Sequence, residues 1–149
     1  MQYMSKIQIN LPDSFQFCTE IKIRITDVNY GGHLGNDSML SIMQEARIQY
    51  LQRLGFQHEG NGPDGIGIII RDVGIVYKKE CYYGAILRIS ISAQEVSRKF
   101  CNLYYRIVDS SDDQDVAIAQ TKIIFYDYQS QMIRKISEQL YSKLLSDII

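Results

Sequence analysis

The sequence predicts an α+β domain in which one long antiparallel sheet curls around one buried helix. Three observations lead there. Residues 39–54 repeat apolar side chains at helical spacing around most of a helix's circumference. Later segments of roughly ten residues each, longer than the common strand, follow one another with turn residues between them. The 149 residues contain no linker-like break, so a single domain over 1–149 is expected, large enough to bury a sizeable core.

Residues 1–13 read as a lead-in ended by Pro12-Asp13. Phe15–Thr26 is the first expected strand, because apolar and charged residues alternate from Ile21 to Ile25. A loop with Gly31, Gly32 and Gly35 follows, then Asn36, Asp37 and Ser38, each a good helix N-cap. Met39, Ile42, Met43, Ala46, Tyr50 and Leu54 form the helix's main apolar stripe, with Leu40 and Leu51 on a second flank. The polar stripe of Ser38, Ser41, Glu45, Gln49 and Gln52 is narrow, so the helix is expected inside the fold. Gly55 is a natural stop.

Residues 57–65 are turn chemistry throughout and predict an exposed connection. Ile66–Tyr77 is almost continuously apolar, as in a central strand covered on both faces. Tyr83-Gly84 opens the next strand, in which Leu87, Ile89, Ile91 and Ala93 alternate with polar residues. Ser97-Arg98-Lys99 is a turn, Phe100–Val108 a strand and Asp109–Asp115 a solvated acidic hairpin loop. Val116–Tyr128 is the last long strand, and Ile136, Leu140, Leu144 and Ile148 predict a C-terminal helix over 136–148. Long strands with apolar residues on both faces call for a second cover beyond the helix.

Composition excludes several classes of function. Net charge is −1, with Lys and Arg scattered, so there is no electrostatic footprint for nucleic acid. Met1–Asn10 lacks an apolar leader core and no stretch approaches a membrane span, so no membrane partner is expected. Three cysteines, odd in number and without a CxxC pair, argue against a disulfide framework or zinc site and for reduced thiols in the cytoplasm.

Chemistry is expected between the first strand and the helix. The loop brings Asp27, Asn29, His33, Asn36 and Asp37 to the helix N-terminus, where backbone N–H groups are unpaired and the dipole is positive. Asp27 is in phase with Ile21, Ile23 and Ile25, and on an unbroken strand it would face the core with a raised pKa suited to a base. A strand that ended earlier would leave it as a loop anchor. His33 either orients water or a substrate carbonyl, or ties the turn to backbone carbonyls. Asn36 reads as a cap and Asp37 as a favourable charge on the dipole. Glu45 is a reserve carboxylate, or a surface glutamate paired with a neighbour. Arg98 and Lys99 could hold phosphate groups.

The stretch Thr-Asp-Val-Asn-Tyr-Gly-Gly-His-Leu-Gly-Asn (26–36) resembles the Asp-x-Asp-x-x-Gly-His-Val-x-Asn signature of the 4-hydroxybenzoyl-CoA thioesterase-like family. Glu45-Ala46-Arg47, Tyr77-Lys78 with Tyr83-Gly84, Val116–Thr121 and Phe125-x-Asp127 extend the likeness over about residues 15–130. The resemblance implies a hotdog fold and a homodimer, possibly a tetramer, with sheets joined edge to edge and active sites between subunits. It implies hydrolysis of an acyl-CoA or acyl-carrier-protein thioester, with no metal or cofactor. The carbonyl would be polarised by the amides of Gly32, Leu34, Gly35 and Asn36, near Asn29 and His33; the residues themselves add Asp27 as a candidate for the catalytic group and Arg98 as a candidate contact to the carrier.

One departure matters. The second Asp of the signature, the family's nucleophile or base, is Asn29 here, and an amide cannot take a proton from water as a carboxylate does. The plant acyl-carrier-protein thioesterases share this loop, and of their Asp, Asn and His only the His, at His33, carries over. Two readings follow: hydrolysis with Asp27, or a water held by Asn29 and His33, in the base's place, or binding of acyl thioesters without hydrolysis.

Overall fold

The computed structural model describes residues 6–146. In chain order these form β1 (Phe17–Lys22), α1 (Asn36–Arg53), β2 (Gly67–Tyr77), β3 (Ile86–Gln94), β4 (Phe100–Asp109), β5 (Gln114–Asp127), β6 (Met132–Ile133) and α2 (Glu138–Leu145). The sheet is antiparallel in the order β1-β3-β4-β5-β2, with β6 added to β5. Alternation decides which residues face inward. Ile89 pairs with Ile107, Leu103 with Thr121 and Ala119 with Tyr105, and all of these lie on one face. Met39, Ile42, Met43, Ala46, Tyr50 and Leu51 of α1 fill that face and are almost wholly buried. This is the curled sheet around a central helix that a hotdog fold requires.

The helix is less uniformly apolar than its sequence implies. Leu40 is 45% exposed, whereas Arg47 is 6% exposed, held by Glu59 and Tyr105. Its N-cap is Gly35, with no side chain capping the end, so Asn36 is the first helical residue rather than the cap.

β1 ends at Lys22, and residues Ile25–Asp27 form a 3₁₀ turn in place of a continuing strand. Ile25 is accordingly exposed. β2 is an edge strand, not a central one; Ile70, Val73 and Tyr77 stand partly in solvent. Its free edge pairs with no strand among the described residues.

The outer face of the sheet has part of its cover from the chain itself. A side chain at Gly74 would meet Ile7 Cγ2 at 3.6 Å and Ile9 Cδ1 at 3.9 Å, so the N-terminal segment crosses β2 there. The acidic run is not a simple solvated loop. Asp109 accepts bonds from the Ser111 N–H and hydroxyl, Asp109 and Asp112 both hold Lys79, and Asp113 and Asp115 pair with Arg88 and Arg106.

α2 begins at an unforeseen cap, Ser137, whose hydroxyl accepts from the Leu140 N–H at 3.2 Å. Leu140 and Leu144 are buried as expected, and Ile148 lies outside the described residues. Gln16 fastens the far end: its amide donates to the carbonyls of Leu144 and Ser146 and accepts from the Tyr50 hydroxyl and the Ala93 N–H.

Candidate active site

The loop before α1 folds as a tight turn because Asn29 organises it from inside. Its side-chain Oδ1 accepts from the Gly31 N–H at 2.9 Å and the His33 N–H at 3.4 Å. Its own N–H donates to the His33 carbonyl at 2.9 Å, and its carbonyl accepts from Gly32 at 3.0 Å. Gly32 has φ +86°, a conformation that only glycine adopts without strain. Tyr30, at the tip, is fully exposed.

After the turn, residues 33 and 34 lie beside the β2–β3 connection: the Leu34 N–H donates to the Cys81 carbonyl at 2.7 Å, and His33 bridges to Tyr82. Gly35 donates to the Asp27 carbonyl at 3.0 Å. The amides of Gly32, Leu34 and Gly35 are therefore occupied within the loop and cannot also receive a substrate carbonyl. Of the amides expected to do so, Asn36 alone remains, together with its first-turn neighbours Asp37 and Ser38, which have no acceptor in the helix. Tyr77 fixes this end of α1, its hydroxyl donating to the Asn36 carbonyl at 3.2 Å. Burial, then the charge of Asp37, raises the Tyr77 pKa and keeps that hydroxyl protonated.

Of these three residues Asn36 lines a cleft of about 370 Å³ walled by the loop, the first turn of α1 and residues 77–81. His33 and Glu80 stand in the same cleft, with Nε2 and Oε1 3.8 Å apart. The second ring nitrogen of His33 lies 3.4 Å from the Leu34 carbonyl. Sequence reasoning missed Glu80. Nothing in Lys78-Lys79-Glu80-Cys81 marks a site, and only the pairing of two distant connections places its carboxylate beside the histidine.

Asp27 is buried as expected, but for another reason and with the opposite effect on its pKa. Burial alone would raise it; the Arg24 side chain and backbone N–H, bonded to the carboxylate at 2.8–3.3 Å, outweigh burial and hold it below the usual range. It is a loop anchor pointing into an ion pair, not toward the cleft.

Glu45 is exposed and accepts from the Gln49 amide at 2.9 Å, the surface role weighed for it. Arg98 is already engaged: Nε and NH2 donate to the Ile136 carbonyl at 2.8 and 2.6 Å, and NH1 pairs with Glu138 at 3.0 Å. It ties down the segment leading into α2 and is unavailable for a phosphate.

Two further groups line the cleft. Lys79 is neutralised by Asp109 and Asp112, whereas Lys78 is exposed at the mouth and has no ion-pair partner among the described residues. The Cys81 thiol, 3.8 Å from Asp109, is pushed up to about 11 by burial and then by that carboxylate. No group of three or more His, Cys, Asp or Glu among the described residues is placed to hold a metal, and no helix there is long and apolar enough to cross a membrane.

The fold has many solved counterparts. A DHNA-CoA thioesterase from Staphylococcus aureus superposes with a TM-score of 0.76 at 20% identity, over 86% of this chain and 89% of that one. A 1,4-dihydroxy-2-naphthoyl-CoA thioesterase from Synechocystis gives 0.70 at 14% identity, over 87% and 96%. The probable thioesterase YbaW from Escherichia coli gives 0.67 at 22% identity, over 85% and 95%. At such identities these similarities establish a shared hotdog fold. No curated protein matches the chain in sequence. The family model described as the thioesterase-like superfamily matches residues 23–144, from just after β1 into the last turn of α2, and the chain belongs to that superfamily.

Proposed function

We propose that the protein hydrolyses acyl thioesters of coenzyme A in the cleft at the N-terminus of α1, with Glu80 as the base and His33 as its partner. The observation that carries this reading is the placement of both side chains, 3.8 Å apart, in the cleft that Asn36, the first residue of α1, also lines. The thioester carbonyl sits against the Asn36 and Asp37 N–H groups, which stabilise the oxyanion as it develops. The attacking water sits on the cleft side of the pair, hydrogen-bonded to Glu80 and oriented by His33. Glu80 takes one of its protons, the hydroxide adds to the carbonyl carbon, and collapse of the adduct breaks the C–S bond. The thiolate leaves and takes the proton held by Glu80, giving free acid and thiol and restoring the carboxylate.

Lys78, the unpaired cation at the mouth, takes the place first assigned to Arg98 and meets a phosphate of the carrier. The free cysteines suit a reducing, cytoplasmic setting. A second copy of the chain is the partner that fits β2: an eleven-residue edge strand with exposed Ile70, Val73 and Tyr77 is complemented by its own antiparallel mate.

Asn29 favours a second reading. The amide stands where the superfamily signature has a carboxylate, and it is committed to the turn. A protein that binds acyl thioesters without cleaving them would have this loop. Release of free thiol from short, long and aromatic acyl-CoA esters decides between the two. Turnover supports hydrolysis; thermal stabilisation by the same esters without thiol release supports binding alone.

A further inference from the structure

A second cleft, of about 250 Å³, opens between α1 and β2 beyond the first. The two lie along one seam. Tyr77 of β2 meets Asn36 at the start of the helix, and Val73 and Ile70 then line the second cleft with Leu40, Met43 and Arg47. From Asn36 to Arg47 the helix rises roughly 16 Å. Along that distance Leu40, Met43, Ile70 and Val73 form an apolar strip edged by Ser41 and Gln44, with Leu40 and Val73 each 45% exposed; the Tyr77–Asn36 bond crosses the strip at its near end.

The far end differs in kind. Arg47 is a buried charge in the wall of this cleft. Its Nε and NH2 lie 3.3 Å from Glu59 Oε1, and its NH1 donates to the Tyr105 hydroxyl at 3.2 Å. That hydroxyl shares a 2.9 Å hydrogen bond with Thr121, whose side chain also lines the cleft. A guanidinium carries five N–H donors, and the remainder have no acceptor among the described residues. Well-packed apolar side chains usually serve stability as well as a buried ion pair does, so this pair at the end of an apolar seam calls for a role in recognition.

We propose that the acyl group of the thioester runs along the α1–β2 seam and ends at Arg47, and that the preferred chains terminate in an uncharged oxygen, a hydroxyl or an oxo group. This rests on the thioester reading above. The charge of Arg47 is already balanced by Glu59, so an ionised carboxylate at the tail would set a second negative charge against Glu59. A neutral oxygen takes the spare N–H without that penalty.

The test compares thiol release from butanoyl-CoA, dodecanoyl-CoA and ω-hydroxydodecanoyl-CoA. Wild type is expected to favour the hydroxylated ester over the plain one by roughly tenfold in kcat/KM. Arg47→Lys, which keeps the charge and loses the fork, should reduce that preference; Thr121→Val supplies the same readout if the first variant does not fold. Ser41→Trp, at the cleft's rim, should lower the dodecanoyl-to-butanoyl ratio by roughly tenfold or more. Equal turnover of the two long esters, or an unmoved ratio in Ser41→Trp, contradicts the channel while leaving hydrolysis standing. Thiol release from none of the esters overturns the hydrolytic reading, and the channel with it.

Discussion

His33 and Glu80 lie 47 positions apart in the chain, yet Nε2 and Oε1 stand 3.8 Å from each other in one cleft. The approach is enforced by backbone: the Leu34 N–H bonds to the Cys81 carbonyl, and His33 bridges to Tyr82. In the proposed site, Glu80 on the opposite wall stands in for the carboxylate missing from the signature position at Asn29. The loop keeps the histidine, and the β2–β3 connection brings the acid.

Asp27 tests the distinction between anchor and catalyst. Asp27→Asn should destabilise the fold by about 1–3 kcal/mol, because the buried side chain gives up its charge-assisted bonds from the Arg24 backbone N–H and guanidinium. The carboxylate's pKa is lowered in the folded chain by Arg24 against the opposing effect of burial. Its contribution is therefore full above an unfolded value of about 3.9 and fades as the pH falls below it. Urea unfolding of both proteins at neutral and acid pH checks this; a wild-type–variant gap that does not narrow on acidification contradicts it.

Arg98→Ala should loosen α2 and lower stability by about 1–2 kcal/mol, through the lost Ile136 and Glu138 contacts. KM for acyl-CoA esters should stay at the wild-type value. A several-fold rise in KM with unchanged thermal stability would restore Arg98 to the carrier site.

Cysteine labelling reports on the cleft. The Cys81 thiol, pushed up to about 11 by burial and then by Asp109, stays protonated and unreactive at pH 8. Cys18 is exposed and Cys101 is buried with its pKa raised by that burial. Iodoacetamide should modify Cys18 first, and peptide mapping that finds Cys81 modified as fast would contradict the burial described.

Edge pairing through β2 predicts that Ile70→Lys with Val73→Lys turns a dimer into a monomer by light scattering, since inward-pointing charges block a sheet edge. An unchanged dimer mass would place the interface elsewhere.

The architecture was readable where local periodicity and burial agree. The apolar stripe of α1 predicted its buried face, and alternation in β3 predicted its inner residues, Leu87, Ile89, Ile91 and Ala93. Strand order is a non-local property, so an apolar run such as Gly67–Tyr77 reads the same whether it ends at the centre or at the edge. Chain phase failed at Asp27 because Arg24 supplies both a backbone and a side-chain donor three residues earlier, closing a 3₁₀ turn where a strand was expected. In the site, the loop was legible from its glycines and His33. The availability of its amides was not, because their acceptors, Cys81 among them, lie partly in other elements. Glu80 was hidden for the same reason.

The most direct measurement is thiol release from an acyl-CoA ester by wild type and by Glu80→Gln, an isosteric change at a side chain 63% exposed that should leave thermal stability intact. The account predicts a loss of roughly a hundredfold or more in kcat, with KM little changed. Equal kcat in the two proteins would contradict the assignment of Glu80 as the base.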